Sequence, residues 1–106
     1  MEKLFAYGSL QNEDIQTDLF GRILEGTPET LIGYIVKNIQ IEEEFGLVYY
    51  PIITETHKPE DTINGMVYAI TTKELHQSDL YEVLHYKRVE VQLQSEQKAW
   101  AYSAAI

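Results

Sequence analysis

Two sets of residues in this 106-residue sequence have the types and spacing of a small-molecule site. The first is Tyr7-Gly8-Ser9-Leu10, which follows the apolar run Leu4-Phe5-Ala6 and precedes a candidate helix. A glycine at such a junction lets main-chain N–H groups turn towards a ligand with no Cβ in the way. Amides so presented suit a carboxylate or a developing oxyanion. Taken alone, the tetrapeptide is more simply a turn, for which glycine is the default residue. The second set is Leu75, Asp79 and Glu82, spaced i, i+4, i+7 on one helical stripe bordered by Leu80 and Val83. If Leu75 faces inward, two carboxylates are drawn towards an apolar side, where charge is rare without a partner or a task. Pairing with Lys87 or Arg88, or capping of a loop amide, is the plainer reading for Asp79. For Glu82 a structural and a chemical role stand level.

The other polar residues offer less. His57, His76 and His85 lack metal-ligand spacing and are expected to be solvated or hydrogen-bonded. Ser9 has no Gly-x-Ser-x-Gly elbow around it, and there is no phosphate-binding glycine loop. The run Glu42-Glu43-Glu44 reads as a solvated loop or edge. Most of the eight tyrosines should be core or strand residues with a wet hydroxyl, one or two of them lining a pocket. Trp100 reads as core.

The whole chain narrows the classes further. Its length fits one domain, residues 1–106. With 44% hydrophobic and 24% charged residues it has an ordinary globular composition. There are no cysteines, so disulfides and thiolate metal sites are excluded. No apolar run reaches the length of a membrane span, and the N-terminus lacks a signal peptide's apolar stretch. These features point to the cytoplasm. The net charge of −9 opposes a phosphate backbone, and the eight Lys and Arg residues are scattered. Neither a nucleic acid nor a membrane is expected as a partner.

The elements that must hold the two sets follow from patterning. Residues 3–7 read as a buried strand. Asn12 caps a short helix to about Phe20, with Glu13 and Asp14 in its first turn. Gly21, Gly26 and Pro28 read as breaks. Residues 31–41 form a long or bent strand with Gly33 as a bulge, and Phe45-Gly46 is a turn. Residues 47–53 form a strand that Pro51 confines to an edge or bulge. A surface loop at 57–61 leads to a strand at 63–70. Thr71-x-x-Glu74 is a capping box opening a helix to about Val83 or Leu84. Residues 86–93 alternate as a strand and pair with 99–104 across a four-residue loop. The order is strand, short helix, three strands, helix, hairpin. That pattern predicts an α+β fold with a curved sheet or small barrel.

Leu4-Phe5-Ala6-Tyr7-Gly8-Ser9-Leu10 resembles the N-terminal signature of the γ-glutamylcyclotransferase-like family. Asp79-Leu80-Tyr81-Glu82 followed by Tyr86-Lys87-Arg88-Val89 is similar to its second signature. Gly33-Tyr34, Tyr50-Pro51, Gly65-Met66-Val67-Tyr68 and Ala99-Trp100-Ala101-Tyr102 extend the resemblance over nearly the whole chain. The resemblance implies a small mixed β-barrel flanked by a few helices, with a pocket at one barrel end. It implies that Tyr7, Gly8, Ser9 and Leu10 hold the γ-glutamyl part of a substrate and that Glu82 is the acid–base residue. The implied reaction closes the glutamyl moiety into 5-oxoproline and releases an amine or amino acid, with no metal or cofactor. The alternative is a non-catalytic module that binds small molecules in the same pocket. Val83 stands where the family often has glycine. The leaving amine and the oligomeric state are not specified by these motifs.

Overall fold

The computed structural model describes residues 1–44, 46–82 and 86–104. Phe45, Val83, Leu84 and His85, on which the Phe45-Gly46 turn, the end of the second helix and one histidine expectation fall, lie outside the described residues. Strand β1 (Glu2–Ala6) runs into a single 3₁₀ turn, Ser9–Gln11, and then helix α1 (Glu13–Phe20). Four strands follow: β2 (Gly26–Ile32), β3 (Tyr34–Glu43), β4 (Gly46–Glu55) and β5 (Thr62–Ile70). Helix α2 (Thr72–Glu82) precedes the hairpin β6 (Tyr86–Gln92) and β7 (Lys98–Ala104). The α+β class is as expected.

β1 lies at the centre of a five-stranded sheet in the order β2-β5-β1-β7-β6. It pairs antiparallel with β5 and parallel with β7. Both faces of this sheet are covered, so the centre of β1 is an unbroken buried run rather than an alternating one. Leu4 and Ala6 face a cluster with Leu24, Tyr68, Ile70 and Leu75, under the two helices. Phe5 faces the opposite way, into a cluster with Leu31, Ile63, Val67, Val91 and Leu93. The period of two along β5 and β7 divides their side chains between the same two clusters.

Helix α1 starts where Asn12 Oδ1 accepts from the amides of Asp14 and Ile15, at 2.8 and 3.2 Å. It ends at Gly21, whose φ of 73° is the left-handed conformation that closes helices. Helix α2 opens on the capping box. Thr71 Oγ1 accepts from the Glu74 amide, and Glu74 Oε1 accepts from the Thr71 amide. Arg22 then grips both Glu74 oxygens at 2.8 Å. That grip, ahead of the opposing cost of burial, pulls the Glu74 carboxyl down to about 2.

Four expectations need correction. Gly26 and Pro28 do not break the chain but belong to β2, paired along its length with β5. Gly33 is not a bulge. With φ of 85° it turns the chain out of the main sheet, its amide donating to the Asp61 carbonyl and its carbonyl accepting from Thr56. The β6–β7 loop is one residue shorter than expected, because the Leu93 amide already donates to the Gln97 carbonyl. Glu96, with φ of 72°, makes the left-handed step of that three-residue turn.

The fourth correction concerns closure. The edge strands β2 and β6 would have to pair to make a barrel. They meet at a single bridge, Leu31 to Leu93, where the Gln94 amide also donates to the Thr30 carbonyl. β3 and β4 pair only with each other, as a two-stranded arm. The sheet is therefore curled but open.

Candidate functional site

β1 and α2 deliver the two predicted halves of the site to one place. A cavity of about 440 Å³ is lined on one side by Tyr7, Gly8, Ser9 and Leu10. Tyr81, Glu82 and Tyr86 line a second side, and Glu43, Tyr50 and Pro51 of the β3–β4 arm a third. Its volume falls in the ordinary range for small-molecule pockets.

The turn is closed by Gln11 and Asn12, whose amides donate to the carbonyls of Gly8 and Ser9 at 3.1 and 3.0 Å. The Ser9 and Leu10 amides stand first in this turn. Among the described residues no main-chain acceptor takes them, as is usual for the first amides of a helical turn. A Cβ on Gly8 would lie 3.8 Å from Pro51 Cγ. Glycine here leaves open the gap between the turn and the arm. Ser9 Oγ lies 3.1 Å from the Tyr81 hydroxyl, which joins the turn to the last turn of α2.

The α2 stripe faces inward as its spacing predicts, with Leu75 buried. Leu80 does not border that face. It is 74% exposed, because five residues past Leu75 the helix has turned well away. The two carboxylates of the stripe have different fates. Asp79 accepts from the Tyr102 hydroxyl at 2.7 Å and from Arg88 Nε at 3.2 Å. Ser78, fully buried, lies 2.6 Å from the same tyrosine oxygen. These contacts tie the helix to β6 and β7, and the Arg88 guanidinium also sits 4.4 Å above the Trp100 ring. Trp100 itself is only partly buried, with its indole N–H donating to Glu2.

Glu82 is different. Among the described residues it has no hydrogen bond or ion pair, and burial alone pushes its carboxyl up to about 7. Removing a carboxylate from water without giving it a partner disfavours the charged form. Its influence reaches two tyrosines. The Tyr86 hydroxyl is pushed up to about 12 by burial first, then by the Glu82 charge. The Tyr7 hydroxyl is raised further, by burial and then by Tyr86 and Glu82. Both phenols therefore stay protonated and act as donors. Tyr7 donates to the Tyr102 carbonyl, and Tyr86 donates to the Pro51 carbonyl at 2.6 Å. The second bond fastens the β3–β4 arm against β6 beside Glu82.

Among the described residues no group of three or more His, Asp or Glu side chains converges as a metal site. Sequence reasoning expected one or two tyrosines at a pocket and named Tyr7; it did not single out Tyr50, Tyr81, Tyr86 and Tyr102, which also line the cavity, and it missed Glu43. Glu43 was expected at a solvated loop or edge. It is an exposed strand residue, but it also lines the cavity and accepts from Tyr50.

The family profile described as Gamma-glutamyl cyclotransferase, AIG2-like matches residues 4–105. The chain belongs to this family. Solved structures agree on the fold. A protein titled At3g28950.1 from Arabidopsis thaliana superposes with a TM-score of 0.76 at 23% identity, over 97% of this chain and 61% of that one. A structure titled Gamma-glutamyl cyclotransferase gives 0.72 at 16% identity, over 98% and 66%. An uncharacterized protein from Homo sapiens gives 0.77 at 16%, over 99% and 67%. The chain thus spans about three-fifths to two-thirds of the length of these family-fold structures. No curated protein matches the sequence significantly. Among the described residues no helix is long and apolar enough to cross a membrane.

Proposed function

We propose that this γ-glutamylcyclotransferase-like chain converts a γ-glutamyl amine or γ-glutamyl amino acid into 5-oxoproline and the free amine. The observation that carries the reading is Glu82: a partly buried carboxylate, without a partner among the described residues, that burial pushes up to about 7 and that lines the same cavity as Tyr7-Gly8-Ser9-Leu10. A group of that kind suits general acid–base work at neutral pH.

The chemistry follows from what the substrate already contains. Its α-nitrogen and γ-carbonyl belong to one molecule, so the site need only hold the folded conformer in which they meet. The α-ammonium gives a proton to the Glu82 carboxylate and becomes a nucleophile. Its lone pair attacks the γ-carbon, and the carbonyl pair moves onto oxygen. The amides of Ser9 and Leu10 are the donors proposed for that oxyanion. As the oxyanion collapses, the bond to the departing nitrogen breaks, and Glu82 returns its proton to that nitrogen. The ring nitrogen then gives a second proton to the freed Glu82 carboxylate, which passes it to the departing amine, so the lactam nitrogen keeps one hydrogen and the amine leaves as its ammonium ion. Tyr7 and Tyr86, committed to main-chain carbonyls, act as walls and not as proton donors in this scheme.

The test is incubation with γ-glutamyl amines and dipeptides and detection of 5-oxoproline. Turnover by the wild-type chain and its loss in Glu82→Gln, with an unchanged circular dichroism spectrum, are expected. Saturable binding without turnover by the wild-type chain would instead assign a binding module.

A further inference from the structure

The most deeply buried side chain of helix α1 is a polar one. Gln16 is 1% exposed, while Ile15, Leu19 and Phe20 of the same helix are only partly buried. A buried amide without partners costs far more than an apolar side chain in the same place. Both ends of this amide are used. Oε1 accepts from the Leu24 amide and Nε2 donates to the Leu10 carbonyl, each at 2.8 Å. The Leu24 bond settles which end of the side chain is which, because an N–H must meet an oxygen. Gln16 lies outside the cavity wall, but Leu10 belongs to the turn that forms one side of it.

A trans peptide unit is flat, with its N–H opposite its C=O. Leu10 C=O and Gln11 N–H share one such unit, and Gly8 C=O and Ser9 N–H share another. The Gln11 amide donates to the Gly8 carbonyl at 3.1 Å. A single line of hydrogen bonds therefore runs from Gln16 Nε2 through the Leu10–Gln11 unit and the Gly8–Ser9 unit to the Ser9 amide. From this line we infer that Gln16 is a positioning residue for ring closure, aiming the Ser9 amide at the oxyanion from outside the cavity. The inference rests on the cyclisation reading and adds to it a residue that lies in neither family signature. Each bond in the line holds the next peptide plane, so the amide meets the developing charge with little reorganisation. Aligned bonds also polarise one another, which strengthens the Ser9 N–H as a donor. Without the Gln16 amide, the Leu10 carbonyl loses this donor and its peptide plane is free to tilt.

The experiment measures kcat and KM for γ-glutamyl-alanine and γ-glutamyl-butylamine in the wild-type chain, Gln16→Met and Glu74→Gln, each well below its melting temperature. Methionine has a similar length but donates nothing to Leu10. In Gln16→Met, kcat should fall about tenfold, less than the roughly 10²–10³ of deleting an oxyanion donor outright. KM should stay within about twofold, because the amide acts on the transition state. Glu74→Gln weakens the opening of α2, at the other end of that helix from Glu82, and should keep the wild-type kcat. If Gln16→Met does not fold, Gln16→Asn, too short to hold both bonds, takes its place with the same expectations. A wild-type kcat in the Gln16 variant, or a loss shared equally by Glu74→Gln, overturns the inference.

Backbone ¹⁵N relaxation of the same proteins without substrate separates this from failure of the cyclisation reading. The order parameters of the Ser9 and Leu10 amides should stand near about 0.85 in the wild-type chain and in Glu74→Gln, and fall towards about 0.6 in the Gln16 variant. If the wild-type chain turns over neither probe and the order parameters still fall, the hold of Gln16 on the turn stands and cyclisation falls. Unchanged order parameters overturn the inference whatever the turnover.

Discussion

Glu82→Gln should stabilise the protein while abolishing its chemistry, and the stabilisation should depend on pH. Burial raises the Glu82 carboxyl from its ordinary 4.5 to about 7. A raised acid binds its proton more tightly in the folded chain than in the unfolded one. Below pH 4.5 the group is protonated in both states and costs nothing. Between 4.5 and 7 the unfolded chain releases the proton first, so stability falls as pH rises. Above about 7 the full cost is present. Each pH unit between the two values is worth about 1.4 kcal/mol. Because water still reaches part of this carboxylate, the full product is discounted to roughly 2 kcal/mol. The amide of glutamine carries no charge and escapes that cost. Thermal unfolding of both proteins at pH 5 and pH 8 is the assay. At pH 8 the variant should melt roughly 10 °C higher, given the usual sensitivity of domains of this size. At pH 5 the difference should shrink to roughly a quarter of that, because only the unfolded chain's carboxyl is then largely ionised. Taking the difference between proteins cancels the titration of every other group. A variant no more stable than wild type at pH 8, or equally stabilised at both values, would refute the argument that Glu82 is buried without a partner.

Other consequences can be measured separately. The logarithm of kcat/KM should rise with unit slope up to about pH 7 and then level, because only ionised Glu82 accepts the proton; a limb near pH 4.5 would contradict the raised pKa. Glu74→Gln should cost roughly 2 kcal/mol by weakening both the capping box and the Arg22 grip. Since the folded Glu74 carboxyl sits at about 2, its contribution is fully present above pH 4.5 and is lost as pH falls towards 2, which acid titrations of the two proteins can resolve. Gly65→Ala would set a Cβ 2.5 Å from the Ala6 carbonyl oxygen and 2.7 Å from the Phe5 ring. Urea unfolding should register a loss of roughly 2–3 kcal/mol from that overpacking.

The sequence made the local signals plain and the long-range ones poorly visible. Asn12, Thr71 and Glu74 announce helix starts because capping uses neighbours in the chain. Residues 86–93 and 99–104 read as a hairpin for the same reason. β2 was hidden by Gly26 and Pro28, whose reasons are tertiary. Pro28 is tolerated because β2 is an edge strand with one partner. Gly26 is there because a Cβ would come within 2.5 Å of the Tyr68 ring. Closure of the sheet was equally invisible, since it depends on how far β2 and β6 diverge beyond the Leu31–Leu93 bridge.

The site divides along the same line. Helical spacing put Leu75, Asp79 and Glu82 on one inward stripe, and Arg88 was one of the two partners expected for Asp79. Nothing in the spacing of Tyr50, Tyr86 and Tyr102 shows that one hydroxyl anchors Pro51, another joins Asp79 to Ser78, and a third orients Glu43. The first two connect elements far apart in sequence, and the third spans the β3–β4 hairpin. Glu43 looked like one charge in an acidic run. Only the fold of the β3–β4 arm distinguishes it from Glu42 and Glu44 by bringing it to the cavity wall.

The central claim is an intramolecular ring closure driven by Glu82, and a single reaction in ¹⁸O-labelled water tests it. The wild-type chain, given a γ-glutamyl amine, should yield unlabelled 5-oxoproline and one equivalent of amine, and Glu82→Gln should yield neither. Labelled glutamate would show that water, not the substrate's own amine, attacks the γ-carbonyl. Unlabelled 5-oxoproline formed by Glu82→Gln at the wild-type rate would contradict the role given to Glu82.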